Sequence, residues 1–553
     1  MRTISTLPKK PRTIVANKTL FVHTSKTYYP VLLGLLSGAL LWAAWPTSPL
    51  TPLVFIGFAP LLIAREKTAS LRLFFASCFS AMLVWNVGTT WWIWHATAAG
   101  AVAAWLANSL LMCTPWVLYW LSKKRWSRRG GYLLLITAWV GFEYLHLQDW
   151  GLSWPWLTLG NVFALHPEWV YWYSFTGTAG GTGWILLINI LFFHHLLRNN
   201  YTILPRSFKS NSLKWIGLAA TLVIAPILLS TQRLRPQPRK AESSQEVVIV
   251  QPNIDPYQKI AAGTSALQIE KLIALSNASL TDSSRLLIWP ETALYSPYGY
   301  NENNLNESQD LVPVRQLIAL HPSLTLFTGI ESYRWVDTPT RFSKPSAGVQ
   351  QEFEAYNAAV VLSHQRAEQF YHKSMLVPGV ETLPWFLRFI DSWFEKFGGV
   401  TAGYAKQDHR SVLPAPNSFM IAPAICYESI YGDFMRRYVK QGANLIVVIT
   451  NDGWWKKTPG HRQHLHYARL RAIETGTWVA RSANTGISAF IDPAGNITDQ
   501  RDYDQTATIR KSLPVLSAST TIYVRWGDWV AKTILIVGGL LSVFSLVLGK
   551  RKN

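Results

Sequence analysis

Three residues that could do chemistry share one feature: each ends an apolar, strand-like stretch of the chain. Glu291 ends "LLIWPE", Lys373 ends "EQFYHK" and Cys426 ends "FMIAPAIC". A thiol becomes a nucleophile when it loses its proton, a carboxylate can accept that proton, and an ammonium stabilises a thiolate or an oxyanion. If the three meet, Cys426 is the expected nucleophile, Glu291 the general base and Lys373 the stabilising cation.

Taken singly, each of these residues also fits a purely structural role. Cys426 could fill a core, and Glu291 and Lys373 could form a solvated ion pair. Their shared position favours a joint role, because active sites of α/β proteins gather at the carboxyl ends of strands. The backbone N–H of Tyr427, the residue after the thiol, is the expected second donor to an oxyanion.

The elements that must position these residues alternate between strands and helices, which predicts an α/β fold. Several strand candidates are continuous apolar runs, as expected for sheets covered on both faces. The segment "GHRQHLHYARLRAIETG" predicts a helix opened by Gly460 and ended by Gly476. The strand candidates are "EVVIVQPNI", "RLLIWPE", "LTLFTGIES", "YNAAVVLS", "EQFYHK", "FMIAPAICYE", "NLIVVITND", "WVARSA" and "GISAFIDPAG".

The rest of the 553-residue chain is dominated by apolar runs long enough to span a bilayer. We therefore predict a multi-pass α-helical membrane domain with about eight transmembrane helices. The expected segments are roughly 29–46, 48–64, 73–94, 98–121, 132–148, 179–197, 214–230 and 529–549.

Basic residues predict how these segments are oriented, because positive loops stay in the cytoplasm. Basic clusters fall in the tail before residue 28 and then in alternate loops, which places both termini inside. The cluster from Arg233 to Lys240 lies on the outer side, but long translocated domains tolerate such charge. The expected domains are a cytoplasmic tail (1–28), a transmembrane domain (29–231), a periplasmic catalytic domain (232–528) and a last helix with its tail (529–553).

The net charge of +21 sits largely in short loops between apolar runs, so it indicates membrane orientation and not nucleic-acid binding. Three cysteines do not form a disulfide framework. His461, His464 and His466 suggest a metal site, but on a helix His466 does not share a face with the other two. We expect no metal and no cofactor. A dyad of Cys426 with His464 stays an alternative to the triad.

Aromatic segments suggest where a lipid would enter. Trp156 lies in the outward loop 149–178 and is a candidate for lining such an entrance, although an aromatic belt explains most of that loop. Trp385 and Trp393 lie in the segment 384–404, which we expect to be a mobile lid; a packed amphipathic helix is the alternative. Glu143 falls inside an apolar segment, where an acid faces protein or a cavity.

Five motifs together resemble the nitrilase, or carbon–nitrogen hydrolase, superfamily. They are "LLIWPETAL", "YHKSMLVPG", "APAICYESIYGD", "VVITNDGWW" and "QHLHYARLRAIETGTWVARSANTGISAFIDPAG". With "FAPLL" and "PWLTLGN" in the membrane part, residues 28 to 550 resemble the bacterial apolipoprotein N-acyltransferase family. The resemblance implies an α-β-β-α sandwich that carries a Glu-Lys-Cys triad, here Glu291, Lys373 and Cys426.

The resemblance also implies a two-step acyl transfer in the bacterial inner membrane. Cys426 would take the sn-1 acyl chain of a phospholipid, typically phosphatidylethanolamine, as a thioester. The acceptor would be the α-amine of the diacylglyceryl-modified cysteine that begins an apolipoprotein. The enzyme would act as a monomer.

The same resemblance assigns roles to further residues. It implies that Glu428 and Asn451 support the site and that Trp156 is linked to substrate access. Glu381 falls near an additional active-site glutamate, but "VPGVETLP" replaces the usual "VPFGE" spacing of the family.

Two other classes of protein are compatible with parts of this pattern. A membrane-tethered amidase could use the same triad on small amides, although the membrane half and its aromatic loop favour a lipid substrate. A receptor or transporter could keep the fold without catalysis, but an intact triad argues against it.

Overall fold

The computed structural model describes residues 18–122, 126–198, 210–236, 239, 241–259, 263–346, 350–382, 403–415, 419–519 and 521–549. The first part of the chain is helical. Its helices are α1 (Lys18–Ala44), α2 (Ala59–Lys67), α3 (Leu71–Thr90), α4 (Ala98–Met112), α5 (Thr114–Ser122), α6 (Arg128–His146), α7 (Tyr173–Thr176), α8 (Thr178–Arg198) and α9 (Ser210–Arg233).

Strands and helices alternate in the second part. Its helices are α10 (Pro256–Lys259), α11 (Ser265–Asn277), α12 (Val312–Leu320), α13 (Gly432–Lys440), α14 (Pro459–Thr475) and α15 (Ile522–Trp526), and α16 (Trp529–Gly549) follows them. Its strands are β1 (Ser243–Gln251), β2 (Ser284–Ile288), β3 (Tyr300–Asn301), β4 (Thr325–Val336), β5 (Lys344–Pro345), β6 (Glu352–Ser363), β7 (Gln369–His372), β8 (Leu413–Pro414), β9 (Met420–Ile425), β10 (Leu445–Thr450), β11 (Trp478–Ala483), β12 (Ser488–Ile491), β13 (Ile497–Arg501) and β14 (Ala507–Val515).

Three helical stretches among the described residues are long and apolar enough to cross a bilayer: Leu71–His95, Ala98–Ser122 and Thr178–Leu197. The segment expected at 48–64 is not one helix. It consists of a 3-10 turn, Thr51–Phe55, followed by α2. Proline near the start of each piece interrupts a continuous helix, and irregular backbone at membrane depth is tolerated where protein surrounds it. Most side chains of both pieces are buried.

Small residues let α1 and α3 approach closely. Gly34 and Gly38 are four residues apart on α1, and a Cβ at either position would collide with the backbone carbonyl oxygen of Ser77 or Ala81 on α3. Ser77 Oγ also donates a hydrogen bond of 2.5 Å to the carbonyl of Pro30. Close packing of this kind is a main source of helix association in a membrane, where apolar burial provides little driving force.

Two sheets form the core of the second part. The first runs in the order β14-β1-β2-β4-β6-β5, with β3 paired to β4 and β7 paired to β6, and the second runs β13-β12-β11-β10-β9-β8. The sheets pack face to face, helices α11 and α12 lie on the outside of the first, and α13 and α14 lie on the outside of the second. This is the expected α-β-β-α arrangement. Every strand candidate from the sequence is present; the two-residue strands β3, β5 and β8 and the longer strands β13 and β14 were not predicted.

In each sheet, parallel pairing places the carboxyl ends of three neighbouring strands at one edge. Strand β10 lies between β9 and β11 and is parallel to both, and β2 lies between β1 and β4 and is parallel to both. The carboxyl ends of neighbouring parallel strands therefore open at the same edge.

Helix α14 joins the two parts of the molecule. It begins after Thr458, whose side chain caps the helix, and it ends at Gly476, which has the left-handed conformation at φ 62°. Its Tyr467 hydroxyl contacts Trp45 Nε1 at 2.8 Å and donates to the carbonyl of Trp156 at 2.9 Å. A helix between a sheet and a helical domain must be buried on nearly every side, as α14 is.

We predict that Gly38→Leu destabilises the protein by about 1–3 kcal/mol, because the added side chain forces α1 away from α3. The midpoint of thermal unfolding in detergent should fall. Gly539→Leu on α16 is the matched control, since a Cβ at Gly539 meets no atom within 4 Å. Equal midpoints for the two variants would contradict the role of the glycine contact.

Candidate active site

The structure brings Glu291, Lys373 and Cys426 together at the edge where β2, β7 and β9 end. Lys373 Nζ lies 3.5 Å from Glu291 Oε1. The charges of both residues act on the Cys426 thiol. Lys373 is 1% exposed and Glu291 is 7% exposed, so their charges interact away from bulk water. The three side chains thus share one site, which suits the nucleophile, base and cation expected from the sequence.

Two fixed donors orient the Glu291 carboxylate. Asn357 Nδ2 donates to Oε1 at 2.9 Å, and the backbone N–H of Asn451 donates to Oε2 at 3.1 Å. Asn451 is itself held, because its Oδ1 accepts a hydrogen bond of 3.1 Å from Asn484. Each carboxylate oxygen therefore has a defined partner, which limits rotation of this carboxylate.

Glu381 lies next to Lys373 despite the unusual spacing of its motif. Its Oε1 accepts hydrogen bonds from Lys373 Nζ at 2.7 Å and from Asn357 Nδ2 at 3.0 Å, and its Oε2 accepts from the Val377 N–H at 2.8 Å. Burial by itself lowers the pKa of Lys373, but Glu381 and Glu291 outweigh burial and hold that pKa above its ordinary value. Lys373 is therefore an ammonium near neutral pH.

Cys426 directly follows β9 and is the first residue of the 3-10 helix Cys426–Ile430, where the backbone is strained. Its φ is 52°, which is uncommon for a residue other than glycine. Burial, followed by the Glu291 carboxylate, raises the pKa of the thiol well above its ordinary value, whereas Lys373 acts in the opposite direction. The thiol thus keeps its proton at rest, and a base would have to remove it before the sulfur could act as a nucleophile.

Glu428 ties the strand that carries Cys426 to the turn that carries Lys373. Fully buried, it accepts hydrogen bonds from the Ile425 N–H at 2.8 Å, the Tyr371 hydroxyl at 2.7 Å and the Ser374 N–H at 2.7 Å. Because these donors lie on both sides of the site, the carboxylate sets the separation of the two chain segments.

Each of the three histidines of α14 has protein contacts of its own. His464 contacts the carbonyl oxygen of Cys426 at 3.1 Å, Ser429 Oγ at 3.0 Å and Asp452 Oδ1 at 3.0 Å, so its hydrogen bonds go to the turn and not to the sulfur. His461 stacks on the ring of Tyr503 at 4.6 Å between ring centroids, and His466 lies near Arg469. This geometry supports a structural role for His464 and gives the Cys–His alternative no contact to the thiol.

An apolar cavity of about 350 Å³ extends from Cys426 into the helical part. One wall is the small-residue face of α4, and another is the aromatic loop before α7. The wall nearest the site includes Tyr427, whose hydroxyl donates to the carbonyl of Ser153 at 2.7 Å. Its lining includes Trp92, Gly100, Ala103, Ala104, Ala107, Leu111, Trp154, Trp156, Val377, Val380, Cys426 and Trp455.

Trp156 is a buried part of this wall. It is 1% exposed, and its Nε1 donates to Gln463 Oε1 on α14 at 2.7 Å. Its ring packs against Trp92 at 4.7 Å and against Trp455 at 5.6 Å between ring centroids. Trp385 and Trp393, also expected at a lipid entrance, lie outside the described residues.

Glu143, the acid inside an apolar segment, faces protein. Its carboxylate accepts hydrogen bonds from Trp139 Nε1 at 2.9 Å, the Leu159 N–H at 2.9 Å and Thr182 Oγ1 at 2.7 Å. It thereby fastens the loop 149–178 to α6 and α8, which supports a structural role for this residue.

Asn357 is a site residue that sequence reasoning missed. One amide nitrogen donates to both Glu291 and Glu381. The only signal in the sequence is a lone polar residue inside the apolar strand "YNAAVVLS". Such a residue usually has a hydrogen-bonded partner, but its partner cannot be named until the strands are placed.

Sequence comparisons agree with this division of the chain. The model of the carbon–nitrogen hydrolases matches residues 247–519, and the model of the apolipoprotein N-acyltransferase N-terminal domain matches residues 37–191. Fold and site thus define a carbon–nitrogen hydrolase domain joined to a helical domain.

Relatives match nearly the whole chain. The apolipoprotein N-acyltransferase of Chlorobaculum tepidum is 29% identical over 94% of this chain and 97% of its own. That of Pseudomonas putida is 26% identical over 94% of this chain and 97% of its own. The chain belongs to the apolipoprotein N-acyltransferase family.

We predict that Asn357→Leu lowers the catalytic rate about tenfold or more, because hydrogen bonds to charged groups are worth about 1.5–3 kcal/mol. Asn357→Asp should lower it further, since a third carboxylate would face Glu291 and Glu381. Initial rates of both variants and of the wild type provide the measurement. Wild-type rates in Asn357→Leu would contradict a role for the shared amide.

Proposed function

We propose that this protein transfers a fatty acyl chain from a phospholipid to the α-amine of the diacylglyceryl-modified cysteine that begins an apolipoprotein. The observation that carries this proposal is the apolar cavity that joins Cys426 to the membrane helices. A small amide needs no such space. A long acyl chain needs such a cavity to be bound tightly, because each methylene that it buries stabilises binding by about 0.8 kcal/mol.

In the first half-reaction, Glu291 accepts the thiol proton as the sulfur of Cys426 attacks the ester carbonyl. The negative oxygen of the tetrahedral intermediate is stabilised by the Lys373 ammonium and by the backbone N–H of Tyr427. The C–O bond to the glycerol then breaks, and Glu291 returns the proton to the departing alkoxide. The products are a thioester on Cys426 and a lysophospholipid.

In the second half-reaction, the α-amine of the acceptor attacks the thioester carbonyl. Glu291 accepts a proton from the amine, the C–S bond breaks, and the thiolate leaves beside the Lys373 ammonium before it regains the proton. Glu381 and Asn357 keep the two charged groups in place. The apolar walls exclude water, which would otherwise hydrolyse the thioester.

We also propose the following placement in the cell. The chain crosses the bacterial inner membrane about eight times, with both termini in the cytoplasm. Residues 29–231 and the last helix lie in the membrane, and residues 232–528 form a periplasmic catalytic domain. The asymmetry of basic loops supports this orientation. Residues 48–64 would cross as two short pieces enclosed by neighbouring helices. Phosphatidylethanolamine is the proposed donor, and the enzyme is proposed to act as a monomer.

Substrate access is proposed to involve three tryptophans. Trp156 would line the path of the acyl chain, and its burial in the cavity wall supports this role. Trp385 and Trp393 would belong to a lid over the entrance.

The first experiment is an intact-mass measurement of the purified protein after incubation with phospholipid. We expect a fatty-acyl mass increment that hydroxylamine removes and that Cys426→Ala lacks. No increment in protein that binds lipid would contradict the proposal. It would then favour hydrolysis of small amides, which turnover of a simple amide by the same protein would test.

A second prediction concerns the cavity. Ala107→Phe should lower transfer of long acyl chains more than of short ones, because the ring fills space beside the small-residue face of α4. Leu106→Phe is the matched control, since Leu106 is on the exposed side of the same helix. Mass spectrometry of the product formed from mixed phospholipids provides the measurement. Identical chain distributions in the two variants would show that the cavity does not hold the acyl chain.

A further inference from the structure

Lys259 is a buried lysine that lies beside the candidate base. It is the last residue of α10 and is only 2% exposed. Its Nζ donates to the carbonyl oxygen of Glu291 at 2.6 Å and to Thr292 Oγ1 at 2.9 Å. A buried lysine is costly unless its donors are satisfied, and here both contacts fall on the turn that presents Glu291.

That turn is strained. Thr292 has a φ of 47°, a conformation that residues with a branched Cβ rarely adopt. Strained backbone persists only where the surroundings hold it. The catalytic turn at Cys426, with its φ of 52°, is the other strained turn of the site.

The β4 strand holds the turn from the other side. Gly329 N–H donates to the carbonyl of Pro290 at 3.2 Å, and its own carbonyl accepts from the Leu294 N–H at 3.0 Å. A Cβ at Gly329 would lie 2.7 Å from the Cα of Glu291, so the strand touches the turn directly. The Glu291–Thr292 turn therefore lies between Gly329 on one side and Lys259 on the other, and both hold it in place.

We propose that Lys259 is a positioning residue for Glu291: its side chain clamps the Glu291–Thr292 turn and so keeps the carboxylate directed at the thiol of Cys426. The inference depends on the proposed role of Glu291 as the base. Lys259 acts through the backbone of Glu291 and touches no substrate.

The clamp does not depend on the charge of Lys259. The carboxylates that face the amine are Glu291 and Glu331, and Glu331 in turn accepts from the Tyr404 hydroxyl at 3.0 Å and lies near Lys344. Burial lowers the pKa of Lys259 to about 7, against the opposing effect of the two carboxylates. A neutral amine still has two N–H donors, which is the number the two contacts require.

The alternative is that Lys259 serves only the local fold. Its own carbonyl accepts a hydrogen bond of 2.7 Å from Gln268 Nε2, which ties α10 to α11. If Lys259 only anchored these helices, its replacement would affect every property of the site alike. A clamp on Glu291 affects only the steps in which Glu291 takes a proton.

The test measures alkylation of Cys426 by iodoacetamide in the full-length protein, followed by peptide mass spectrometry. This small reagent needs deprotonation of the thiol but no lipid. We expect Lys259→Met to slow the reaction at Cys426 about tenfold, and Thr292→Val to slow it less, because one of the two contacts is kept. Lys440→Met, at an exposed position of the same domain, should match the wild type.

A double-mutant cycle separates the two roles. In a Glu291→Gln background, Lys259→Met should have no further effect, since the base it positions is absent. Equal slowing in both backgrounds, or no slowing in the wild-type background, would overturn the proposal. If Lys259→Met does not fold, Thr292→Val is tested in the same cycle with the same criteria. An alkylation cycle that behaves as expected while phospholipid yields no acyl-enzyme would refute the proposed function and leave the role of Lys259 intact.

Discussion

The site depends on one buried ammonium that lies between two carboxylates. Lys373 is nearly inaccessible to water, and Glu381 and Glu291 lie 2.7 Å and 3.5 Å from its nitrogen. Taking such charges out of water costs several kcal/mol for each ion, and removal of one partner of a buried pair costs about 3–5 kcal/mol. The rest of the site offsets that cost with fixed donors. The Asn357 amide serves both carboxylates, and backbone N–H groups of Asn451 and Val377 complete them.

The same charges set the protonation state of Cys426, the proposed nucleophile. Burial and the Glu291 carboxylate keep the proton on Cys426, while the Lys373 ammonium favours the thiolate once the proton has moved. A thiol that stays protonated at rest does not react indiscriminately, and in the proposed mechanism its activation depends on the same carboxylate that accepts a proton from the acceptor amine. The strained turns at Cys426 and Thr292 position the thiol and the Glu291 carboxylate. His464 contacts the backbone carbonyl of Cys426, and Lys259 donates to the backbone carbonyl of Glu291, so each holds one of the two turns.

The junction of the two parts of the chain determines what the site can reach. Helix α14 packs on its sheet on one side and on Trp156 and Trp45 on the other, and the cavity lies along this junction. Here the small-residue face of α4 and the tryptophan cluster form an apolar continuation of the site, which suits a substrate that stays in the membrane.

Much of the fold and of the site could be predicted, and the misses have physical causes. Strand β14 escaped because "ATIRKSLPV" carries charges and a proline; it forms since β1 offers an edge with which it pairs over nine residues. The expected helix at 48–64 is broken by proline near the start of each piece. The break is tolerated because both pieces are largely buried among other helices. By itself the sequence determined the strand ends and thus Glu291, Lys373 and Cys426, because apolar runs and their polar boundaries are local properties. Only the tertiary structure decided that Asn357 and Lys259 contact Glu291 and that Glu381 contacts Lys373. Contacts between distant segments depend on strand order and register, which no local pattern records.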